Sequence, residues 1–307
     1  MNNRYSKVKE KLNNNGIIII DGGTGTELQK RGVPMSDAAW CGTAAIEHTD
    51  ILKQIHFDYI SAGAEIIAAN TYASNRIMLE TAGVGDQFET INLRAIKAAQ
   101  LARKDSKNDN ILVAGSLGHR LPIEVGKQEA SIKISGQKLE EVFSELAELL
   151  KKGQCDLIIL EMMYHPERIL PAFNAAKKTG MPVWAGFSVR EDKNGNIVNW
   201  TNDGNVPFVD TVQILNDFDI EAAGIMHSSI SVIEESVNIL KENFDGPIMA
   251  YPDSGGWNSP NWEFENVISP SELLDFAKKW KKNGTQIFGG CCGLSPEHIH
   301  KLNNLRD

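Results

Sequence analysis

Short apolar runs, rich in Ile, Val and Ala and lacking alternate polar positions, recur along the chain with helical patterns between them. They fall at Ile17–Asp21, Ile66–Asn70, Ile111–Ser116, Leu157–Glu161, Val183–Ser188, Ala222–His227, Ile248–Tyr251 and Gln286–Gly289. Such runs predict parallel strands covered on both faces. Between them, Ile51, Leu52, Ile55, Tyr59 and Ile60 share one helical face, as do Leu139, Val142, Phe143, Leu146, Leu149 and Leu150, with Gly153 as a stop signal. Ser269 and Pro270 open the last long helix and Gly284 closes it. Residues 1–15 read as a helical lead-in, and no linker or low-complexity stretch divides the chain. Eight alternating units predict an α/β fold, a (β/α)8 TIM barrel, as a single domain over residues 1–307. A doubly wound open sheet is the competing topology.

Composition narrows the class without changing it. Forty-two per cent hydrophobic and 23% charged residues are ordinary for a globular protein. A formal net charge of −9 without a basic stripe argues against nucleic acid as a partner. No run approaches the roughly 18 apolar residues of a membrane span. Met1–Lys11 has no signal-peptide core, and four cysteines, two of them adjacent, make no disulfide framework. The expectation is a soluble protein of the reduced cytoplasm.

In a barrel of this kind, chemistry sits where strands end and loops begin. The first run leads into Asp21-Gly22-Gly23-Thr24-Gly25-Thr26-Glu27. Its glycines allow close backbone approach to a ligand and positive φ, but neither nucleotide-binding pattern is present. Asp21 could bind a substrate amine or cap the next helix. Glu161 emerges from a buried strand, which is costly unless the carboxylate is paired or used, and substrate binding is preferred over a structural ion pair. Asn70, Tyr72, Ser116 and the segment Tyr251–Gly256 describe a mouth for a small polar molecule. The eighth run carries Gly289-Gly290-Cys291-Cys292-Gly293, in which flanking glycines let two sulfurs turn to one point. Two thiolates point to zinc, with His227 at the end of the sixth run as third ligand; a buried apolar pair is the plainer alternative.

Taken together, these motifs resemble the homocysteine S-methyltransferase family from Gly16 onward. The resemblance rests on Asp21–Thr26, Asn70-Thr71-Tyr72, Gly115-Ser116-Leu117-Gly118, Tyr251-Pro252 with Ser254-Gly255, Gly289–Gly293 and Pro296-Glu297-His298-Ile299, with Trp40 at a family tryptophan position. It implies a zinc-dependent barrel that transfers a methyl group to the homocysteine thiol, giving methionine, through a zinc-bound thiolate. Zinc ligands then map to Cys291 and Cys292, with His227 in place of a third cysteine. Homocysteine binding maps to Asp21 and Glu161, and Gly22, Gly23, Thr24, Asn70, Tyr72, Ser116 and Trp40 complete the implied substrate site. The chain departs from the family at Glu161-Met162 (usually Glu-Thr), at Asp253 (usually Asn) and at His119-Arg120.

The donor implied is a small sulfonium or quaternary ammonium compound, because 307 residues leave no room for an appended cobalamin or folate domain. S-Methylmethionine, S-adenosylmethionine, betaine and dimethylsulfoniopropionate all fit. Aromatic faces attract such cations by ~0.5–2 kcal/mol each, and Trp40, Tyr72, Trp184 and Trp257 are expected near the mouth. Cys41 and Cys155 are expected to be structural, and His48, His56, His298 and His300 to be solvated or capping. His119 and His165 are pocket candidates. Methylation of another acceptor, action without zinc and a non-catalytic amino-acid- or metal-binding barrel are the alternatives. Oligomeric state is left open.

Overall fold

The computed structural model describes residues 3–122, 133–201 and 205–306. Within them the eight runs form the first to eighth barrel strands: Ile18–Ile19, Ile66–Ala69, Leu112–Gly118, Leu157–Met163, Val183–Phe187, Ala222–Ser229, Ile248–Asp253 and Thr285–Phe288. Each pairs in parallel with its neighbour in chain order, and the eighth pairs back with the first. Between the first and second strands only the bridge Ile20–Ile66 closes the ring. Around it, the Glu65 N–H donates to Ile19 O at 2.7 Å and the Asp21 N–H to Ile66 O at 3.0 Å. The architecture is the (β/α)8 TIM barrel, and the open sheet is excluded.

The strands are buried because helices cover their outer faces. The helix Gly136–Lys152 buries the predicted face, Leu139, Val142, Phe143, Leu146, Leu149 and Leu150. Its end differs in detail: Gly153 keeps φ −71°, and Gln154 takes the left-handed turn at φ 61°. The helix Pro270–Lys282 has the expected start, a capping box between Ser269 and Glu272, and Gly284 beyond its end at φ 92°.

The lead-in is the helix Asn3–Asn13, which lies across the N-terminal ends of the strands. Its cations meet acids placed just before three strands: Arg4 with Asp156 at 3.3 Å, Lys9 with Glu221 at 2.7 Å and Lys11 with Glu65 at 2.6 Å. Its Tyr5 hydroxyl accepts the Trp184 indole N–H at 2.9 Å. Trp184 is therefore fully buried at the closed end, and its expected place near the mouth is corrected. The fifth strand carries the ring near its start, beside this helix.

Two short hairpins interrupt the alternation: Val189–Glu191 with Ile197–Asn199, and Gly256–Asn258 with Asn261–Glu263. They follow the fifth and seventh strands, so both belong to the mouth. Among the described residues no helix is long and apolar enough to cross a membrane.

Asp156 anchors the closed end. Its fully buried carboxylate accepts from the Val113 N–H at 2.8 Å and pairs with Arg103 at 2.8 Å as well as with Arg4. Removing one partner of a buried ion pair strands the other, a loss of about 3–5 kcal/mol. Asp156→Ala should lower the unfolding free energy by that amount in urea titrations, and an unchanged midpoint would refute the anchoring role.

Candidate active site

At the opposite end, two strands break register to aim their side chains. The fourth strand shifts between Leu160 and Met163, and the sixth between Met226 and Ser229. Met162 and His227 sit in these irregularities at φ 59° and 45°, a region that disfavours side chains. The result is a continuous polar chain. The Ser116 hydroxyl donates to Glu161 Oε2, and Glu161 Oε1 holds His227 Nε2 at 2.7 Å. His227 Nδ1 then faces Cys291 Sγ at 3.0 Å. Tyr72 stacks on the imidazole with 5.3 Å between ring centres.

The eighth strand's loop brings the vicinal thiols together, with Cys291 Sγ donating to Cys292 Sγ at 3.7 Å. All four cysteines are free. The side-chain ligand atoms of His227, Cys291 and Cys292 lie within 4.8 Å of one another, and all three residues are buried. A tetrahedron with ~2.3 Å Zn–S arms has an edge of roughly 3.7 Å, so the sulfur spacing and the N/S donor set suit zinc. With Nε2 engaged by Glu161, Nδ1 is the nitrogen left for a metal.

Charge is arranged to match. Burial opposes a charged imidazole, but the Cys292 sulfur and the Glu161 carboxylate outweigh it and draw His227 up to about 10. The hydrogen bond from Cys291 brings Cys292 down to about 7, against burial and with help from His227. Burial and the neighbouring Cys292 hold Cys291 well above the ordinary thiol range. Negative charge is thus favoured on Cys292 over Cys291.

Of the two uses expected of the glycines of the first loop, positive φ is absent at Gly22, Gly23 and Gly25, whereas all three line the inner cavity. A Cβ on Gly22 would lie 2.5 Å from Leu294 O, and one on Gly23 would lie 2.6 Å from Cys291 O. Their missing side chains let this loop pack against the cysteine loop. Asp21 does not cap the following helix, whose N-cap is Gly23 with no side-chain bond. Instead Asp21 Oδ2 accepts from the Ala68 N–H at 2.7 Å, extending the closure of the barrel, and Oδ1 accepts from the Tyr251 hydroxyl at 3.3 Å. Burial pushes this carboxyl up to about 8.

Two cavities meet at the cysteine–histidine cluster. The inner one is small and is lined by Gly22, Gly23, Thr24, Asn70, Glu161 and the cluster itself. Asp21 lies one layer beneath it, behind Gly22 and Tyr251. Ser116 is also behind the wall, where it holds Glu161. The outer chamber, about 400 Å³, opens above the cluster between Trp40, Tyr72, Tyr164, Trp200, Trp257 and Trp262. Trp40 and Trp257 meet edge to face at 5.7 Å. The expected site residues are thus brought together, as lining or directly behind it.

Several expectations need adjustment. Cys41, expected to be structural, also lines the inner cavity, its thiol donating to Asn70 Oδ1 at 3.2 Å, while Asn70 Nδ2 donates to Cys41 O at 2.8 Å. His56 is neither solvated nor capping, being fully buried with both ring nitrogens unpartnered, and burial draws it down to about 3. His119 is buried against the edge of Tyr164 at 4.7 Å and does not line either cavity. His165 precedes the helix Pro166–Lys178 as its N-cap. His298 caps as expected, completing a box with Ser295. Asp253, in the expected mouth segment Tyr251–Gly256, lines the chamber, and so do Arg120, Tyr164, Trp200 and Trp262, which were not selected from sequence. The unusual His119-Arg120 was the available signal for one of them.

Comparison with known proteins agrees with this geometry. The chain is 24% identical to homocysteine S-methyltransferase 2 of Arabidopsis thaliana, over 98% of this chain and 96% of that protein. It is also 24% identical to selenocysteine methyltransferase of Astragalus bisulcatus, over 92% and 90% of the two chains. The metallated crystal structure of the homocysteine methyltransferase MmuM from Escherichia coli shares the fold, with a TM-score of 0.79 at 21% identity, covering 99% of this chain and 100% of that one. The family described as homocysteine S-methyltransferase matches residues 18–305. With its barrel and its strand-end motifs accounted for over that span, the chain belongs to the homocysteine S-methyltransferase family of methyl-transferring enzymes.

Proposed function

We propose that this enzyme methylates the thiol of homocysteine to give methionine, with zinc held by His227, Cys291 and Cys292 and a small onium compound as donor. The observation that carries the reading is the position of that cluster, at the junction of a small polar cavity and an aromatic chamber. Zinc, when bound, supplies the positive charge that lets a thiol of pKa ~8.5 ionise near neutral pH. The remaining work falls to the chain. The inner cavity seats the amino acid, with the Asp21 and Glu161 carboxyls supplying negative charge toward its ammonium group. An ammonium beside Asp21 favours the ionised carboxylate that burial alone opposes. The outer chamber excludes water and holds the donor with one methyl in line with the acceptor sulfur. The sulfur forms the new bond to carbon, and the donor's heteroatom leaves with the electron pair, becoming neutral.

Glu161 also fixes the tautomer and ring orientation of His227, with Nε2–H on the carboxylate and Nδ1 toward the sulfurs. Partners of this kind contribute about 10–100-fold to metal affinity. The same Glu161–His227–Cys291 chain favours one second reading, a metal-free site in which the charged His227 pairs with the acceptor thiolate.

Elemental analysis of chelator-free protein separates the two. Near-stoichiometric zinc, lost in His227→Ala and held about 10–100-fold more weakly in Glu161→Gln by chelator competition, is the expected outcome. Little zinc in the parent after anaerobic reconstitution would favour the metal-free reading.

Asp21→Asn tests the amino-acid pocket. The amide oxygen still accepts from Ala68, so the melting temperature should change little. Loss of a charged contact worth ~1.5–3 kcal/mol should raise the homocysteine KM about tenfold or more. An unchanged KM would remove Asp21 from substrate binding.

A further inference from the structure

The outer chamber contains a cation that no carboxylate among the described residues neutralises. Arg120 follows the third strand, half-buried, with its guanidinium 5.3 Å from the centre of the Trp257 ring. Its Nε is buried without a hydrogen-bond partner, and although its head reaches the Tyr72 hydroxyl it pairs with no carboxylate among the described residues. The contrast with Arg190 in the same chamber is informative. Its Nε is likewise buried without a partner, but its Nη2 is committed to Thr201 O at 3.0 Å and Asn205 Oδ1 at 2.7 Å. The two acids on the chamber wall are placed elsewhere: Glu191 is exposed at the rim, and Asp253 exerts its field on His227.

Charge therefore varies along the chamber, negative at Asp253 near the cluster and positive at Arg120 beside Trp257. A methyl donor must put its onium centre next to the acceptor sulfur, hence near Asp253 and the Tyr72 ring. Its remaining atoms extend toward Arg120. A donor that is only a cation would meet an unpaired guanidinium there, with like-charge repulsion and no acceptor for the buried Nε–H. A carboxylate at that end satisfies both demands, because a guanidinium fork binds it bidentately.

We propose that Arg120 is the donor-carboxylate site, and that it selects zwitterionic onium donors over simple cations. This rests on the reading of the outer chamber as the donor site. The chamber's tryptophans allow binding to be followed by fluorescence, independently of turnover.

The experiment compares glycine betaine and dimethylsulfoniopropionate with choline, which has the quaternary ammonium but a hydroxyl in place of the carboxylate. Each is titrated into wild type, Arg120→Met and Arg120→Lys, with melting temperatures as folding controls. Wild type should bind at least one zwitterion more tightly than choline. Arg120→Met should weaken that zwitterion about tenfold or more while leaving choline within about twofold, and Arg120→Lys should restore part of the loss. Equal weakening of zwitterion and choline, an unchanged zwitterion affinity, or a wild type that prefers choline would each overturn the assignment. Zwitterion binding that depends on Arg120 without any homocysteine methylation would instead count against the proposed reaction and leave the Arg120 site standing.

Discussion

A carboxylate at the end of an apolar barrel strand must be paired, and the pairing of Glu161 organises the mouth of this enzyme. Five apolar residues deliver Glu161 to the barrel interior, where an unpartnered charge would cost several kcal/mol. The Ser116 hydroxyl takes one oxygen and the His227 imidazole takes the other. That choice leaves only Nδ1 of His227 to face the sulfurs, and the stacked Tyr72 ring holds the imidazole plane. The third, fourth, sixth and eighth strands are thereby joined through side chains at the level where chemistry occurs. A loss at any one link frees the next.

Holding that chain requires backbone conformations that side chains ordinarily avoid. Trp40, Met162 and His227 all have positive φ, and all line the outer chamber. The surrounding packing over-determines them, as is common where geometry serves binding. The supporting packing is close on both sides of the site. The first loop can approach the cysteine loop because Gly22 and Gly23 carry no Cβ, and Gly293 passes so near Ser254 that any side chain would strike its carbonyl. The rigid end of the molecule lies opposite, where Asn3–Asn13 ties its cations to acids before the second, fourth and sixth strands. Stability and chemistry are thus concentrated at different ends of the barrel.

The two cavities differ in polarity, which suits the proposed division between acceptor and donor. The inner one is walled by backbone, Asn70 and Glu161, with Asp21 behind it; the outer one is walled by aromatic rings and a few charges. His227, Cys291 and Cys292 are the boundary. On the proposed reading an acceptor sulfur and a donor methyl brought from the two sides would meet there without either ligand crossing the other's pocket. The oppositely charged Asp253 and Arg120 give the outer chamber a direction.

The order of elements was legible in the sequence because parallel strands covered on both faces must be apolar throughout, whatever their neighbours. Eight such runs separated by helical faces leave little besides a barrel, and adjacent cysteines between glycines announce their chemistry at any position. The strand-end residues Asp21, Glu161, His227, Cys291 and Cys292 were legible for the same reason: a polar group ending an apolar run has to be used. Their partners were not. Trp184 and the other tryptophans look alike in sequence, yet one is sealed at the closed end by Tyr5 while Trp40 and Trp257 face the chamber. Arg120, Cys41 and Trp262 join the site only through loops and a hairpin whose paths depend on distant strands. Local pattern fixes which face of an element is buried; which buried groups touch is decided by register, by strand irregularities and by loop packing, and these exist only once the barrel has closed.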